Sequence, residues 1–331
     1  VIIHEVGHNY FPMIVNSDER QWTWMDEGLN TFLQGLAERA WDHKHPSPKG
    51  KPSNITYYMS GDKSNIAPIM MNGDLLMQFG ANAYSKPAAG LFMLREVILG
   101  HELFDKAFKT YAERWRFKHP TPADFFRNME DASGTDNDWF WRGWFFTTDN
   151  NDIGIKEIKK YRVTDEPTEE IKSKTDRYGR RVADLGKNLF LIEMKAEEIA
   201  DNGSGEEKSL EEIATLNEYL IDNFSKEERA SLKKTKYFYE VIFEKPGGLV
   251  MPILAEITYA DGSKESKYYP AEIWRFNDNE VKKVLGTEKE IKSIQLDPKQ
   301  LTADVNTENN SWPKKEKESK FDNFKKQNLS D

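Results

Sequence analysis

The chain begins Val1-Ile2-Ile3-His4-Glu5-Val6-Gly7-His8, and its stretch from His4 to His8 reads H-E-x-x-H. Side chains four residues apart share one face of an α-helix, so His4 and His8 can both direct a ring nitrogen at one metal ion. Glu5 lies beside the pair, where a carboxylate can take a proton from a metal-bound water. The spacing therefore predicts a helical metal site with Glu5 as general base.

The position of a third ligand separates the classes of H-E-x-x-H enzyme. One class needs a glycine and a histidine where this chain has Phe11 and Ile14, so that class is excluded. In the other arrangement, a carboxylate from the following helix is the third metal ligand. Glu27 stands at the expected start of that helix, and eighteen residues separate it from His8. Three protein ligands leave one position for water, which is typical of catalytic zinc sites.

These residues resemble the membrane alanyl aminopeptidase family of gluzincin zinc peptidases. The likeness rests on H-E-x-x-H, on the spacing to Glu27, and on its setting Trp24-Met25-Asp26-Glu27-Gly28. It continues at Tyr84-Ser85-Lys86-Pro87, which is similar to the Y-x-K-G/P segment of that family. The run from Tyr111 to Trp144 is similar to the helices that follow. The C-terminal run from Leu296 to Pro313 resembles the ending of certain bacterial members.

The resemblance implies a role for each matching residue. His4, His8 and Glu27 would hold one Zn²⁺, and Glu5 would be the general base and later the acid. Tyr84 would stabilise the transition state, although a core tyrosine with a satisfied hydroxyl is the structural alternative. Asp26 would orient a zinc-bound histidine, and a helix-capping role fits it equally well.

The resemblance also implies a multidomain α+β fold, in which the helical half of a thermolysin-like zinc peptidase domain precedes a small antiparallel β-sandwich. We expect the helical catalytic part at residues 1–148 and the β-sandwich module at 149–310. A charged insertion is expected at about 165–235 and a polar tail at 311–331. We also expect the chain to lack the N-terminal part of such enzymes, where a G-x-M-E-N-like motif holds the substrate amine.

Residue patterns predict individual elements within these parts. Residues 43–63 are rich in Pro, Gly, Ser and Lys and are predicted to form a loop. A helix is predicted from about Ser85 to Leu99, and another is predicted to start at Thr121. A further helix is predicted to turn inward Leu103, Phe104, Ala107, Phe108 and Tyr111. Strands are predicted at 153–163, 237–243, 249–259, 281–285 and 291–296, with a hairpin turn at Asp261-Gly262.

Composition limits the classes of partner. The net charge of −9 and the absence of a large basic patch make nucleic acid an unexpected partner. The sequence has no cysteine, which excludes disulfides and thiolate metal sites. It has no apolar run of membrane-spanning length. Asp149-Asn150-Asn151-Asp152 lacks the spacing and the glycine of an EF-hand loop and is predicted to be a turn.

The sequence therefore predicts a zinc-dependent metallopeptidase that acts on peptides or proteins, with aminopeptidase activity favoured by the resemblance. A zinc endopeptidase, or another hydrolase on the same site, stays open as an alternative. So does a non-catalytic scaffold with a structural zinc. The C-terminal likeness is to envelope-associated or exported bacterial enzymes, which favours that location.

Overall fold

The structure, a computed structural model, describes residues 1–44, 50–164, 172–173, 179, 189–194, 216–232 and 234–314. Helices fill the first part of the chain: α1 (Ile2–Gly7), α2 (Leu29–Trp41), α3 (Thr56–Met59), α4 (Lys86–Met93), α5 (His101–Arg114), α6 (Pro122–Ser133) and α7 (Asp138–Phe146). Between them lie 3₁₀ turns at Pro52–Ile55, Lys63–Asn65 and Gly73–Leu75. Among the described residues, no helix is both long enough and apolar enough to cross a lipid bilayer.

Three of the helical boundaries are π-helical segments that run directly into or out of an α-helix. Trp24–Gly28 leads into α2, Gly80–Ser85 leads into α4, and Leu94–Ile98 continues α4. A π turn adds one residue to the helical ring and changes the direction of the side chains on either side of it. Glu27 and Tyr84, two of the residues predicted for the site, both lie in such segments.

Aromatic side chains hold the helices together. Phe32 of α2 is fully buried. Its ring centre lies 4.8 Å from that of Phe92 in α4. The same ring centre lies 5.3 Å from the ring centre of Phe104 and 5.6 Å from that of Phe108, both in α5. Burying one such ring contributes roughly 1.5–3 kcal/mol, so this cluster fixes α2 against α4 and α5.

The predicted helix boundaries near Gly100 and Thr121 are confirmed. Gly100 has φ of 78°, a backbone conformation that glycine adopts readily, and α5 begins directly after it. At the start of α6, the Thr121 backbone N–H donates to Asp124 Oδ2 at 2.9 Å. That bond satisfies one of the backbone donors that a helix start leaves free.

Strands dominate the second part of the chain. They are β1 (Gly154–Thr164), β2 (Phe190–Met194), β3 (Tyr237–Glu244), β4 (Ile253–Tyr259), β5 (Lys264–Tyr269), β6 (Glu280–Thr287), β7 (Ile291–Leu296) and β8 (Ser311–Trp312). Two helices, α8 (Leu216–Asn223) and α9 (Lys226–Ser231), precede β3. Short 3₁₀ turns lie at Ala271–Trp274 and Thr307–Asn309.

The strands form two four-stranded antiparallel sheets, with the orders β2-β1-β3-β6 and β5-β4-β7-β8. Side chains of β3 connect them. The Tyr239 hydroxyl accepts a hydrogen bond from the Ile291 backbone N–H at 2.8 Å, and its ring contacts that of Trp312. Phe243 packs on Tyr269 of the second sheet. Tyr239 and Phe243 are both buried, so the two sheets share apolar side chains.

The structure corrects two predictions in the helical part. Residues 43–63 are not simply a loop, because they contain a 3₁₀ turn followed by α3. Ile55, Tyr58 and Met59 are buried there at helical spacing, which outweighs the Pro and Gly around them. Leu103 is 38% exposed, because it lies at the edge of the α5 face that packs. The other four residues predicted to face inward are buried: Phe104, Ala107, Phe108 and Tyr111.

Two more corrections concern the second part. Phe190–Met194, inside the predicted charged insertion, forms β2 and pairs with β1, with Leu191 buried. A run of only five residues, most of them apolar, does not stand out when composition is averaged over a long charged segment. Ser311 and Trp312 were predicted to open a polar tail, but they form β8 against β7. Residues 195–215 and 315–331 lie outside the described residues.

Lys86, the first residue of α4, is 1% exposed. Its Nζ donates to the Thr147 carbonyl oxygen at 3.2 Å, just past the end of α7. The Trp144 indole N–H donates in return to the Lys86 carbonyl oxygen at 2.9 Å. Burial lowers the pKa of Lys86 from its ordinary 10.5 to about 7, and the nearby charge of Lys63 acts in the same direction. The lysine thus joins α4 to α7 while its charge is poorly solvated.

We expect Lys86→Met to change how stability depends on pH. The unfolded lysine keeps its proton up to about pH 10, whereas the folded lysine loses it near pH 7, so the wild-type free energy of unfolding rises between these values. The stability of the wild type relative to Lys86→Met should therefore increase as pH rises from about 7 to about 10 and stay level below pH 7. Thermal unfolding midpoints at a series of pH values measure this.

The exposed Lys106 of α5 offers a matched control. The difference between the wild type and Lys106→Met should stay flat over the same pH range. Parallel curves for the wild type and Lys86→Met would contradict the assignment of a poorly solvated ammonium group at position 86.

Candidate metal centre

The three residues predicted to bind a metal come together in the structure. His4 Nε2 lies 3.0 Å from Glu27 Oε2 and 3.2 Å from His8 Nε2. His8 Nε2 lies 3.3 Å from the same Glu27 oxygen. One atom from each residue therefore occupies a corner of a nearly regular triangle. Among the described residues, no other trio that includes a histidine brings its possible ligand atoms within 4.8 Å of one another.

Hydrogen bonds at the Nδ1 atom of each histidine ring indicate which ring nitrogen carries the hydrogen. His4 Nδ1 lies 3.1 Å from Gln34 Oε1, and His8 Nδ1 lies 2.9 Å from the Phe11 carbonyl oxygen. Both partners are acceptors, so each Nδ1 carries the ring hydrogen. In the neutral rings, each Nε2 then presents a lone pair, and these face a carboxylate oxygen. Three electron-pair donors this close repel one another unless a cation lies among them.

The donor set fits zinc. Imidazole nitrogen and carboxylate oxygen are common zinc ligands, at bond lengths of about 2.0–2.2 Å. In a tetrahedron with such bonds, two ligand atoms lie roughly 3.3–3.5 Å apart. The observed separations of 3.0 to 3.3 Å are close to that edge. The chain also has no cysteine to compete for the ion.

Two glycines allow the elements of the site to approach each other. A Cβ on Gly7 would lie 2.0 Å from Asn30 Oδ1, so only glycine lets α1 approach α2 this closely. Asn30 Nδ2 then donates to the His4 carbonyl oxygen at 2.7 Å, which ties the two helices at the site. A Cβ on Gly28 would lie 2.6 Å from the Pro87 ring. This second contact brings the segment carrying Glu27 against the one carrying Tyr84.

Polar side chains behind the histidines fix their orientation. Gln34 accepts from His4 and donates to Glu38 Oε1 at 2.7 Å, so its amide cannot rotate without losing a bond. Asp26 Oδ1 lies 2.8 Å from His8 Nδ1, beside the hydrogen bond from that nitrogen to Phe11. Burial, and next the charge of Glu27, raise the pKa of Asp26 to about 7.

Tyr84 and Glu5 complete the predicted set. The Tyr84 hydroxyl donates to Glu27 Oε1 at 2.5 Å, and its ring stacks on His4 with centres 5.8 Å apart. Burial, the bond to Glu27 and the charges of Asp26 and Glu5 raise the pKa of Tyr84. Its hydroxyl therefore stays protonated and available as a donor. Glu5 is exposed on α1, within electrostatic reach of that hydroxyl.

The sequence prediction missed Gln34, Asn30 and Gly7, which support the site without belonging to the triangle. A signal for two of them was present. Asn30 and Gln34 of α2 follow Glu27 at intervals of three and seven residues, so helical spacing places them on the same side as Glu27. Polar residues on an otherwise apolar face indicate hydrogen-bond partners rather than core.

Comparison with known proteins adds independent information. Residues 1–144 match the family model described as the peptidase family M1 domain. Human glutamyl aminopeptidase is 27% identical over 139 residues, which cover 40% of this chain and 14% of that protein. Leukotriene A-4 hydrolase of Xenopus laevis is 23% identical over 159 residues, which cover 44% of this chain and 26% of that protein. The chain thus spans about a quarter or less of the length of these relatives.

A solved structure also matches, the one described as Legionella pneumophila aminopeptidase A in complex with aspartic acid. It is 14% identical, with a TM-score of 0.43, and the match covers 88% of this chain and 25% of that chain. The resemblance stated from the sequence is confirmed by the family match over residues 1–144.

Zinc binding tests the three-donor triangle. We expect the purified protein to take up one zinc ion per chain, measured by atomic emission after dialysis against a slight excess of the metal. His8→Ala removes one corner of the triangle and should reduce the bound zinc to well below one per chain. The exposed His101 pairs with Glu96 elsewhere on the surface, so His101→Ala should keep full occupancy. Equal zinc content in both variants would contradict the assignment.

Proposed function

Because residues 1–144 match the family model described as the peptidase family M1 domain, we propose that the protein is a zinc-dependent aminopeptidase that releases residues from the N-termini of peptides. The observation that carries the proposal is the triangle of His4, His8 and Glu27, in which three electron-pair donors converge. The name of the human relative supports the choice of aminopeptidase among the zinc peptidases.

In this proposal His4, His8 and Glu27 hold one zinc ion and leave a position open to water and substrate. When bound there, zinc supplies Lewis acidity, which lowers the pKa of water from 15.7 toward about 7 and polarises a carbonyl group. The role of the ligand side chains is to keep their donor atoms fixed. Gln34 and Asp26 serve that role from behind, by restraining His4 and His8.

Glu5 and Tyr84 act on the substrate itself. The Glu5 carboxylate takes a proton from the attacking water and later delivers it to the nitrogen of the leaving amine. The Tyr84 hydroxyl donates a hydrogen bond to the peptide carbonyl oxygen as negative charge grows there. For this it exchanges its bond to Glu27 Oε1 for one to the substrate. The raised pKa of Tyr84 supports the role, because a tyrosinate could not donate.

A second candidate is another hydrolase reaction on the same site. The similarity to a leukotriene A-4 hydrolase favours it, since that name describes hydrolysis of a substrate other than a peptide. A structural zinc in a non-catalytic scaffold is less well supported. Such a site needs neither an exposed carboxylate at position 5 nor a hydroxyl donor at position 84.

We also propose the finer organisation predicted from the sequence. Residues 1–148 would be the helical half of a thermolysin-like catalytic domain, and the two sheets that meet at Tyr239 would form a β-sandwich module. The location proposed for the protein is the bacterial cell envelope or the exterior, on the C-terminal likeness alone. A cell-fractionation experiment with an antibody to the chain tests that location.

The full-length protein should cleave a fluorogenic peptide with a free N-terminal amine and leave the N-acetylated peptide intact. The reason is that an aminopeptidase recognises the charged amine as part of its substrate. Initial rates on the matched pair, over a panel of N-terminal residues, measure this. Equal rates on both peptides would retain the zinc chemistry and reject the aminopeptidase assignment. Cleavage of neither peptide by zinc-loaded protein would favour the scaffold.

Two substitutions separate chemistry from metal binding. Tyr84→Phe should lower turnover by ~10²–10³, since one oxyanion donor is lost, while zinc content stays at one per chain. Glu5→Gln should abolish detectable turnover with zinc again retained. The exposed Tyr57 provides the control, and Tyr57→Phe should behave as the wild type. Full turnover in Tyr84→Phe would remove that residue from the mechanism.

A further inference from the structure

The connection between α5 and α6 presents an aromatic ring to solvent. Phe117 is 73% exposed, and its backbone φ of 61° lies in the left-handed region, which is unfavourable for a bulky side chain. An exposed ring gains little burial that could offset this strain. A strained and exposed phenylalanine thus stands where glycine or asparagine would adopt the backbone conformation more easily.

The segment that follows α1 holds this backbone in place. The Phe117 backbone N–H donates to the Ile14 carbonyl oxygen at 2.7 Å, and the Asn16 backbone N–H donates to the Lys118 carbonyl oxygen at 3.0 Å. His119 Nδ1 lies 2.8 Å from Asn16 Oδ1. Contacts on both sides of Phe117 therefore fix the conformation that directs its ring outward.

Cationic side chains flank the ring. Arg114, Arg116 and Lys118 are all exposed, and residues 114–119 include no Asp or Glu. The Arg116 guanidinium carbon lies 5.4 Å from the centre of the Phe117 ring. Lys118 Nζ donates to the Arg114 carbonyl oxygen at the end of α5, at 2.9 Å. That bond explains the position of Lys118, but it explains neither Arg116 nor the exposed ring.

These three cations also lack counterions. In the part of the chain that the structure describes, none of them forms an ion pair with a carboxylate. The exposed Lys156 and Lys264 of the strands differ, because each pairs with a glutamate. Carboxylates are in excess on a chain with a net charge of −9. Unpaired cations around an exposed aromatic ring therefore fit a partner that is anionic at its surface and apolar beneath it.

We propose that the loop 114–119 docks the protein on a bilayer surface that contains anionic lipid. The Phe117 ring enters the boundary between headgroups and acyl chains, and the basic side chains lie among the lipid phosphates. This combination of apolar and basic side chains is typical of proteins that lie on membranes. Met13, which is 61% exposed, directly precedes Ile14 and adds a second apolar side chain beside the loop. The docking does not depend on the peptidase activity proposed above.

Cosedimentation of the full-length protein with lipid vesicles tests the docking. We expect binding to vesicles of mixed phosphatidylglycerol and phosphatidylcholine, and much weaker binding to pure phosphatidylcholine. Binding should decrease as NaCl is added, because salt screens exposed charges. Equal binding to both kinds of vesicle, or binding to neither, would overturn the proposal. Retention on immobilised polyglutamate without vesicle binding would also overturn it, and would indicate an acidic protein segment as the partner.

Two substitutions assign the binding to the loop. Phe117→Asn should lower vesicle binding several-fold while the thermal midpoint stays level or rises, because asparagine tolerates a positive φ. Arg116→Glu reverses one charge and should lower the vesicle partition constant by roughly 25-fold, since one charge near an anionic surface contributes about a factor of five.

Phe276 supplies the matched control. It is 97% exposed, and its loop also carries Asp278, so Phe276→Asn should bind vesicles as the wild type does. Wild-type vesicle binding by both Phe117→Asn and Arg116→Glu would reject the assigned loop. A lower thermal midpoint in Phe117→Asn with unchanged vesicle binding would show that the ring is structural, which also contradicts the proposal.

Discussion

The closeness of three electron-pair donors is the constraint on which the rest of the structure depends. Neutral imidazole nitrogens and a carboxylate oxygen within 3.0 to 3.3 Å of one another are unfavourable without a cation. The surrounding structure must therefore hold them together. It does so with hydrogen bonds that occupy the other nitrogen of each ring, so that rotating His4 or His8 away would leave a buried polar group without its partner.

Packing further from the site supplies the rigidity. Gly7 and Gly28 permit backbone approaches that a side chain would block, and Asn30 converts one of these approaches into a hydrogen bond. Behind α2, the aromatic cluster around Phe32 fixes the helix that follows Glu27. The π-helical turn at Trp24–Gly28 then sets the direction in which that carboxylate points. Apolar packing away from the site and polar contacts beside it thus fix the positions of the same donor atoms, those of His4, His8 and Glu27.

Helical spacing is local information, so the sequence predicts that His4 and His8 share a face, whereas the choice of Glu27 as their partner rests on the resemblance. His4 and His8 are four residues apart, and Glu27 begins the next apolar pattern. The side chains that hydrogen-bond to these three residues are harder to predict from sequence. Gln34, for example, acts through a contact between α1 and α2. Short elements were missed for a different reason. Phe190–Met194 and Ser311–Trp312 acquire their structure by pairing with distant strands, and composition averaged over a window hides such segments.

Zinc-edge anomalous diffraction from crystals of the full-length protein tests the central claim most directly, because it locates the metal without reference to activity. The account predicts one strong peak within about 2.0–2.2 Å of His4 Nε2, His8 Nε2 and Glu27 Oε2. A zinc-saturated crystal with no peak at that triangle, or with its dominant peak elsewhere, would contradict the account.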